Sequence, residues 1–228
     1  MRFIIGGIQK TSLLDFPDKI SAIVFTQGCN FNCGYCHNPD LLNSKKDIYS
    51  TDVFFEFLEK RRGKLDGVVI TGGEATLQPD LIPFIKEIKS RGFLVKLDTN
   101  GYRPEVLKEA LDIVDYVAMD IKAPLEEYSK ITNTQIDVKK IEESIKLLQK
   151  SNVAYEFRTT VMKSQLSYDD FRKIGELIKG TENYFLQKFE AKTTINDETL
   201  KNEVSYSNEE FNEIINLLKE YNIKAKLR

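Results

Sequence analysis

Three cysteines, Cys29, Cys33 and Cys36, are the only ones in the chain, and they follow the spacing C-x3-C-x2-C. An odd number of crowded thiols rules out a disulfide framework and indicates a metal or cluster site. Three thiolates on one loop can hold three corners of a [4Fe–4S] cubane, which otherwise takes four cysteines. The fourth iron is then open to an exogenous ligand. The spacing therefore predicts a reactive centre rather than a simple electron carrier.

Two other metal chemistries fit parts of the same segment. A structural zinc ion prefers four protein ligands, and His37, the single histidine, could join the three cysteines. Because His37 directly follows Cys36, placing both on one tetrahedral ion would strain the loop. Cys33 to His37 also matches the C-x-x-C-H of c-type haem attachment, but this leaves Cys29 without a role and normally requires export. The cluster is favoured, and a non-catalytic metal-binding or electron-carrying module is the alternative.

The composition indicates a soluble globular chain with room for a sizeable core. Its 228 residues predict a single domain over 1–228. The net charge is −2 with both signs interspersed, so no basic stripe indicates nucleic-acid binding. No apolar run approaches the roughly 20 residues that span a bilayer, and the N-terminus does not resemble a signal peptide. We therefore expect a cytoplasmic protein with neither a nucleic-acid nor a membrane partner.

Short β-branched runs alternate with amphipathic helical patterns along the chain. Strands are predicted at 20–26, 67–71, 93–98, 116–121, 155–161 and 184–189, with a terminal strand at 223–227. Such alternation predicts an α/β fold with parallel strands. Six units are too few for a closed eight-unit barrel, so we expect a partial open (β/α)6 TIM-like barrel. A doubly wound sheet stays open as an alternative, because periodicity does not reveal strand order.

Helix starts and one long loop can also be predicted. Thr51 is a candidate N-cap, and Pro104 suits a first helical position. Ser-x-x-acid patterns predict capping boxes at Ser167–Asp170 and Ser207–Glu210. Residues 190–206 are polar and weakly patterned, which predicts a loop. In either α/β architecture ligands bind at the carboxyl ends of the strands, so residues just after each strand are the candidates for chemistry.

The cysteine segment resembles the radical S-adenosylmethionine (AdoMet) superfamily, whose signature is C-x3-C-x-aromatic-C, with Tyr35 as the aromatic residue. Residues 28–39 (GCNFNCGYCHNP) resemble glycyl-radical-enzyme activating proteins. Together with residues 6–17 (GGIQKTSLLDFP) and 25–27 (FTQ), the sequence is most similar to the activating proteins of anaerobic ribonucleotide reductase. The similarity is tight over residues 6–42 and looser over most of the chain.

This resemblance implies a [4Fe–4S] cluster in loop 29–36 near the top of a partial barrel of the radical SAM type. The open iron would bind the amino and carboxylate groups of AdoMet. One-electron reduction would split the sulfur–C5′ bond, giving methionine and a 5′-deoxyadenosyl radical. In activating proteins that radical removes a hydrogen atom from a backbone glycine of the partner enzyme. A low-potential donor such as flavodoxin or ferredoxin would supply the electron.

Other strand ends resemble family motifs that contact AdoMet. Gly72-Gly73-Glu74 is similar to GGE, whose glycines admit a close ligand and whose carboxylate can accept from the AdoMet amine. Asp120 and Lys122 match D-x-K and by resemblance contact the methionine part. Asp98 and Thr99 begin a segment similar to DTNG, and by resemblance shape the same pocket or a nearby cation site. An ordinary turn would also explain GGE or Asn100-Gly101, and a solvated charge would explain Lys122.

His37 adjoins the cluster loop, and its backbone is expected beside the cluster and adenine. Pyruvate formate-lyase activating enzymes carry a late-strand histidine that touches AdoMet, whereas residues 186–190 here read LQKFE. Gln187 or Glu190 is a candidate replacement. The departure weakens the pyruvate formate-lyase assignment more than the AdoMet one. We therefore expect an activase of anaerobic ribonucleotide reductase. The alternatives are an activase of another glycyl-radical enzyme or a radical AdoMet enzyme acting on a small molecule or RNA.

Overall fold

The computed structural model describes residues 1–43, 49–190 and 194–228. The strands are β1 (Ile5–Ser12), β2 (Ser21–Thr26), β3 (Gly67–Gly72), β4 (Leu94–Thr99), β5 (Tyr116–Asp120), β6 (Ala154–Val161), β7 (Tyr184–Lys188) and β8 (Ala225–Leu227). The helices are α1 (Asp40–Asn43), α2 (Thr51–Lys60), α3 (Leu81–Ser90), α4 (Pro104–Leu111), α5 (Tyr128–Ile131), α6 (Val138–Lys150), α7 (Tyr168–Leu177) and α8 (Asn208–Leu218).

The strands follow one another in chain order, β1 to β8, in one sheet. The first and last strands stand at opposite ends of this order, so the sheet is open, as a partial barrel requires. This confirms the predicted α/β class. The six predicted β/α strands correspond to β2 to β7, and the predicted terminal strand is β8.

The sequence did not predict β1, which pairs antiparallel with β2 through Ile5 opposite Thr26 and Ser12 opposite Ser21. Its segment IGGIQKTS contains two glycines and a run of exposed polar residues. That pattern shows neither the alternation of a half-buried strand nor the continuous apolar run of a buried one. Pairing with β2, rather than local pattern, stabilises this strand.

The chain divides into two compact units, and the first comprises residues 1–30, 40–117 and 151–154. In it β2, β3 and β4 are parallel, with Ser21 beside Gly67 and Gly67 beside Leu94. Helices α2 and α3 bury the predicted apolar faces Phe54, Phe55, Leu58 and Leu81, Phe84, Ile85, Ile88. Gly92 has φ +86° after α3, as expected of a residue that ends a helix.

The second compact unit comprises residues 31–39, 118–150 and 155–228. Within it β6, β7 and β8 are parallel, with Phe157 beside Tyr184 and Tyr184 beside Ala225. Both predicted capping boxes are present, Ser167 with Asp170 on α7 and Ser207 with Glu210 on α8. That residues 1–228 form one domain stays a prediction.

Two local expectations need correction. The N-cap of α2 is Ser50 rather than Thr51, because the Ser50 hydroxyl accepts from Val53 N and Thr51 is already helical. The predicted loop 190–206 contains a short 3-10 helix at Glu198–Asn202, which Asp197 caps by accepting from Thr199 N. Residues 191–193 of that loop lie outside the described residues.

Candidate functional site

In the first compact unit, two glycines bring the ends of β2 and β3 into backbone contact. Gly73 N donates to Thr26 O at 2.9 Å, and Glu74 N donates to Gly28 O at 2.8 Å. A Cβ on Gly73 would lie 2.2 Å from Gly28 O, and Gly72 has φ +117°, so side chains are excluded at both positions. These contacts fix the backbone directly before the first cysteine.

The Glu74 carboxylate is 1% exposed and accepts four hydrogen bonds from uncharged groups of the chain. Oε1 accepts from Thr76 N (3.1 Å), Thr76 Oγ1 (2.5 Å) and Thr99 Oγ1 (2.6 Å). Oε2 accepts from Asn100 N at 2.7 Å. Burial raises the pKa of Glu74, and the four bonds oppose that rise. The bonds from Thr99 and Asn100 tie the end of β3 to the end of β4.

Asn100 is buried at the end of β4, and its amide faces the first cysteine. Its Oδ1 accepts from Tyr102 N at 3.0 Å, which makes the predicted turn with Gly101 at φ +78°. Its Nδ2 donates to Asn30 Oδ1 at 2.9 Å and reaches Cys29 Sγ at 4.0 Å. The sequence predicted the turn but not the approach to Cys29.

Asp98 and Thr99 have different partners in the same unit. Asp98 Oδ1 pairs with Lys96 Nζ at 2.5 Å, and the Lys96 side chain is only 2% exposed. The Thr99 hydroxyl donates to Glu74. Thr99 therefore supports the carboxylate of the GGE segment, while Asp98 neutralises a buried ammonium group.

In the second compact unit, Cys33 and Cys36 lie on a tight turn in which Cys36 N donates to Cys33 O at 3.1 Å. Asn196 holds this turn, because its Nδ2 donates to Cys33 O at 3.1 Å and its backbone N donates to Cys36 O at 3.1 Å. Asp197 N also donates to Gly34 O at 2.9 Å. Sequence reasoning missed this role, since it treated the segment around Asn196 as a plain polar loop.

Asp120 lies between two cations at the end of β5. Its Oδ2 accepts from Lys122 Nζ and its Oδ1 from Arg158 Nε, both at 2.9 Å. Burial alone would raise the pKa of Asp120, but Arg158 and Lys122 outweigh burial and hold that pKa well below its ordinary value. Lys122 Nζ also lies 5.7 Å from the Tyr35 ring centroid. The structure thus joins three predicted residues, Tyr35, Asp120 and Lys122, and adds Arg158.

Lys122 also affects the electrostatics of the cysteine turn. Burial raises the pKa of Cys33, and Lys122 opposes that rise. The pKa of Lys122 is itself held well above its ordinary value, because Asp120 outweighs the effect of burial. The ammonium group therefore stays charged and provides a positive charge for thiolate or ligand anions.

His37 and the late strand share one pocket of the second unit. His37 Nε2 lies 3.0 Å from Glu190 O, and the ring stacks on Phe189 at 5.9 Å between centroids. The pocket measures about 270 Å³ and is lined by His37, Thr160, Gln187, Lys188, Glu190 and Arg228. Both candidate replacements for a late-strand histidine, Gln187 and Glu190, therefore line the same pocket as His37.

The chemistry of these residues fits an iron–sulfur cluster. The three thiols form no disulfide, and thiolates are the ligands that such clusters take. Gln27 and Asn30 flank Gly28 and Cys29 in the sequence, and the buried atoms Gln27 Oε1 and Asn30 Nδ2 have no hydrogen-bond partner among the described residues. Buried polar atoms are nearly always paired, so these leave bonding capacity for a bound group. Among the described residues, no three His, Cys, Asp or Glu side chains lie close enough together to hold one metal ion.

Comparison with known proteins agrees with this chemistry. The family model of the radical SAM superfamily matches residues 23–178. A Methanocaldococcus jannaschii protein named "Putative glycyl-radical enzyme activating enzyme" is 35% identical over 92% of this chain and 89% of its own. The pyruvate formate-lyase-activating enzyme of Clostridium pasteurianum is 30% identical over 78% of this chain and 77% of its own. The crystal structure of QueE from Escherichia coli has a TM-score of 0.56 and 14% identity, covering 99% of this chain and 93% of that one.

The chain therefore belongs to the radical SAM superfamily, whose members use a [4Fe–4S] cluster and S-adenosylmethionine. Its relatives within the superfamily place it among the glycyl-radical enzyme activating enzymes. The QueE similarity supports the fold alone. Within the described ranges, no helix combines the length and apolar character needed to cross a bilayer.

Proposed function

We propose that this enzyme installs the glycyl radical of an anaerobic ribonucleotide reductase. The observation that carries the proposal is the C-x3-C-x2-C loop, whose three thiols are free of disulfides in a chain with no other cysteine. Cys29, Cys33 and Cys36 would hold three corners of the cluster and leave one iron for AdoMet. When bound, the cluster supplies one electron to AdoMet, which gives methionine and the radical that takes a hydrogen atom from the partner's glycine.

The residues of the chain bind and orient AdoMet rather than act as acids or bases. Lys122, kept charged by Asp120, would pair with the methionine carboxylate, and Tyr35 and His37 would lie beside the nucleoside. The remaining contacts proposed from the motifs come from the strand ends, namely Gly72, Gly73, Glu74, Asp98 and Thr99. Of these, Glu74 and Thr99 hydrogen-bond to each other within the fold, and we expect their contribution to be the shape of the pocket.

The choice of partner rests on the sequence. The resemblance over residues 6–42 is strongest to activating proteins of anaerobic ribonucleotide reductase, and residues 186–190 read LQKFE, without the late-strand histidine of pyruvate formate-lyase activating enzymes. Pyruvate formate-lyase is the second candidate, since a relative at 30% identity carries that activity in its name. We further propose a cytoplasmic location and a flavodoxin or ferredoxin as the electron donor.

The test starts with anaerobically purified protein, in which iron and sulfide are measured and a broad iron–sulfur absorption is expected. Reduced enzyme and AdoMet are then mixed without oxygen with anaerobic ribonucleotide reductase or, in parallel, with pyruvate formate-lyase. A glycyl-radical EPR doublet on the reductase supports the proposal, and Cys33→Ser should abolish it. A doublet on the lyase alone, or 5′-deoxyadenosine without either doublet, overturns the partner assignment. Zinc without iron overturns the chemistry.

A further inference from the structure

We propose that Asn100 is a positioning residue that sets the reduction potential of the cluster by donating its side-chain N–H to the Cys29 sulfur. The inference rests on the proposed function, in which Cys29 is a cluster ligand. It gives a second role to a residue that the sequence explained as part of a turn. The contact lies wholly within the first compact unit.

The orientation of the Asn100 amide follows from its neighbours. Its Oδ1 accepts from Tyr102 N at 3.0 Å, so exchanging the oxygen and nitrogen would place two donors face to face. The NH2 group therefore points to the opposite side. One of its two hydrogens is donated to Asn30 Oδ1 at 2.9 Å, which leaves the other for Cys29 Sγ at 4.0 Å.

Glu74 anchors both sides of this contact. Its Oε2 accepts from Asn100 N at 2.7 Å, and its backbone N donates to Gly28 O at 2.8 Å, one residue before Cys29. Asn100 is 6% exposed and Glu74 is 1% exposed, so water does not compete for these bonds. The buried carboxylate thereby fixes the distance between the amide and the sulfur.

A hydrogen bond to a cluster-ligating sulfur favours the more negative state of the cluster. The reduced cluster carries one more electron than the oxidised cluster, so the N–H donor stabilises the reduced form more. Removing the donor should lower the reduction potential, and replacing it with a negative charge should lower the potential further. Asn100 would in this way make the cluster easier to reduce by the electron donor.

The test compares the wild type with Asn100→Asp, Asn100→Ala and Asn212→Asp. Aspartate keeps an oxygen to accept from Tyr102 N, so it preserves the turn while replacing the donor. Asn212 is exposed on α8 and serves as the control for an added charge. The cluster potential is measured by EPR-monitored redox titration, with iron content determined on the same samples. We expect the potential to fall from wild type to Asn100→Ala to Asn100→Asp, with Asn212→Asp at the wild-type value.

The outcomes separate this inference from the proposed function. Wild-type protein without an iron–sulfur cluster would remove the proposed function. Cluster-loaded wild type and Asn100 variants that titrate at one potential would overturn the role of Asn100 and leave the proposed function intact. If Asn100→Asp fails to retain iron, the test rests on the cluster potential of Asn100→Ala compared with that of the wild type. A purely structural residue would lower the cluster yield or the melting temperature without shifting the potential of the cluster that remains.

Discussion

Two carboxylates at strand ends show contrasting ways of keeping a negative charge inside this enzyme. Glu74 follows β3, is 1% exposed and accepts hydrogen bonds from hydroxyl and backbone N–H groups. Asp120 ends β5, its side chain is 26% exposed, and it pairs with the cations Lys122 and Arg158. The pKa of Glu74 is raised, chiefly by burial, whereas the cations lower that of Asp120 against the opposing effect of burial.

The difference separates a structural role from an electrostatic one. Uncharged donors satisfy the hydrogen bonds of Glu74 without cancelling its charge, so the carboxylate fixes backbone positions around Gly28 and Asn100. The cations at Asp120 instead form a charged group, and its Lys122 ammonium is the one that we propose to pair with the carboxylate of AdoMet. The same change, carboxylate to carboxamide, should therefore have different effects at the two positions.

Glu74→Gln should give the largest loss of stability. Whichever way the new amide points, its NH2 faces either Asn100 N–H or Thr76 N–H, and one buried backbone donor loses its acceptor. Leaving such a donor unpaired costs about 1–3 kcal/mol. Urea unfolding at neutral pH measures the loss. Glu143→Gln, on the exposed face of α6, is the control and should match the wild type. Wild-type stability for Glu74→Gln would contradict the structural role.

Compared with Glu74→Gln, Asp120→Asn should lower the stability of the fold less and the affinity for AdoMet more. An amide oxygen can keep one of the two cations, and the other then faces an NH2 group. Because the side chain is partly exposed, water screens the loss, and we expect about 1–2 kcal/mol in unfolding free energy. Misplacement of Lys122 should raise the Kd for AdoMet about tenfold. Isothermal calorimetry on cluster-loaded protein measures the affinity. An unchanged Kd would show that the group does not face AdoMet.

The difference in unfolding free energy between the wild type and each of these two variants should change with pH, and in opposite directions for Asp120→Asn and Glu74→Gln. The lowered pKa of Asp120 gives stability that is present above the ordinary value of 3.8 and is lost as pH falls through the folded-state pKa. The gap between wild type and Asp120→Asn should therefore narrow in acid. The raised pKa of Glu74 gives stability that is present below 4.5 and is lost as pH rises through the folded-state pKa, so the gap to Glu74→Gln should widen in acid. Urea midpoints between about pH 3 and pH 7 test both slopes, and parallel slopes would contradict the comparison.

Local patterns predicted much of the fold. The apolar face of α3 and the capping boxes Ser167–Asp170 and Ser207–Glu210 are confirmed because each depends on residues within a few positions of one another. Strand β1 was missed because antiparallel pairing with β2 stabilises it rather than an apolar pattern of its own.

The sequence identified the motif residues of the candidate site but not their partners. Glu74 is bound by Thr99 and Asn100, 25 and 26 positions away, and Asp120 is bound by Arg158, 38 positions away. Asn196 holds Cys33 across 163 positions. No spacing rule encodes such pairs, since the strand order and the loop conformations bring them together. For this reason the sequence predicted an AdoMet contact for Glu74 without revealing the hydrogen bonds that its carboxylate accepts within the fold.

Asp170→Asn on α7 should show the smallest effect, although Asp170 also accepts a backbone N–H. Its Oδ2 accepts from Ser167 N at 2.8 Å and from Ser167 Oγ at 2.7 Å, so one amide oxygen can serve both bonds. What remains is the loss of a negative charge at a helix N-terminus, about 0.3–1 kcal/mol. Asp169→Asn removes a charge from the same turn without touching the cap, and thermal unfolding should place the two variants close together. If Asp170→Asn cost as much as Glu74→Gln, burial would not be what distinguishes Glu74, because a partly exposed carboxylate with a backbone partner would then contribute the same stability.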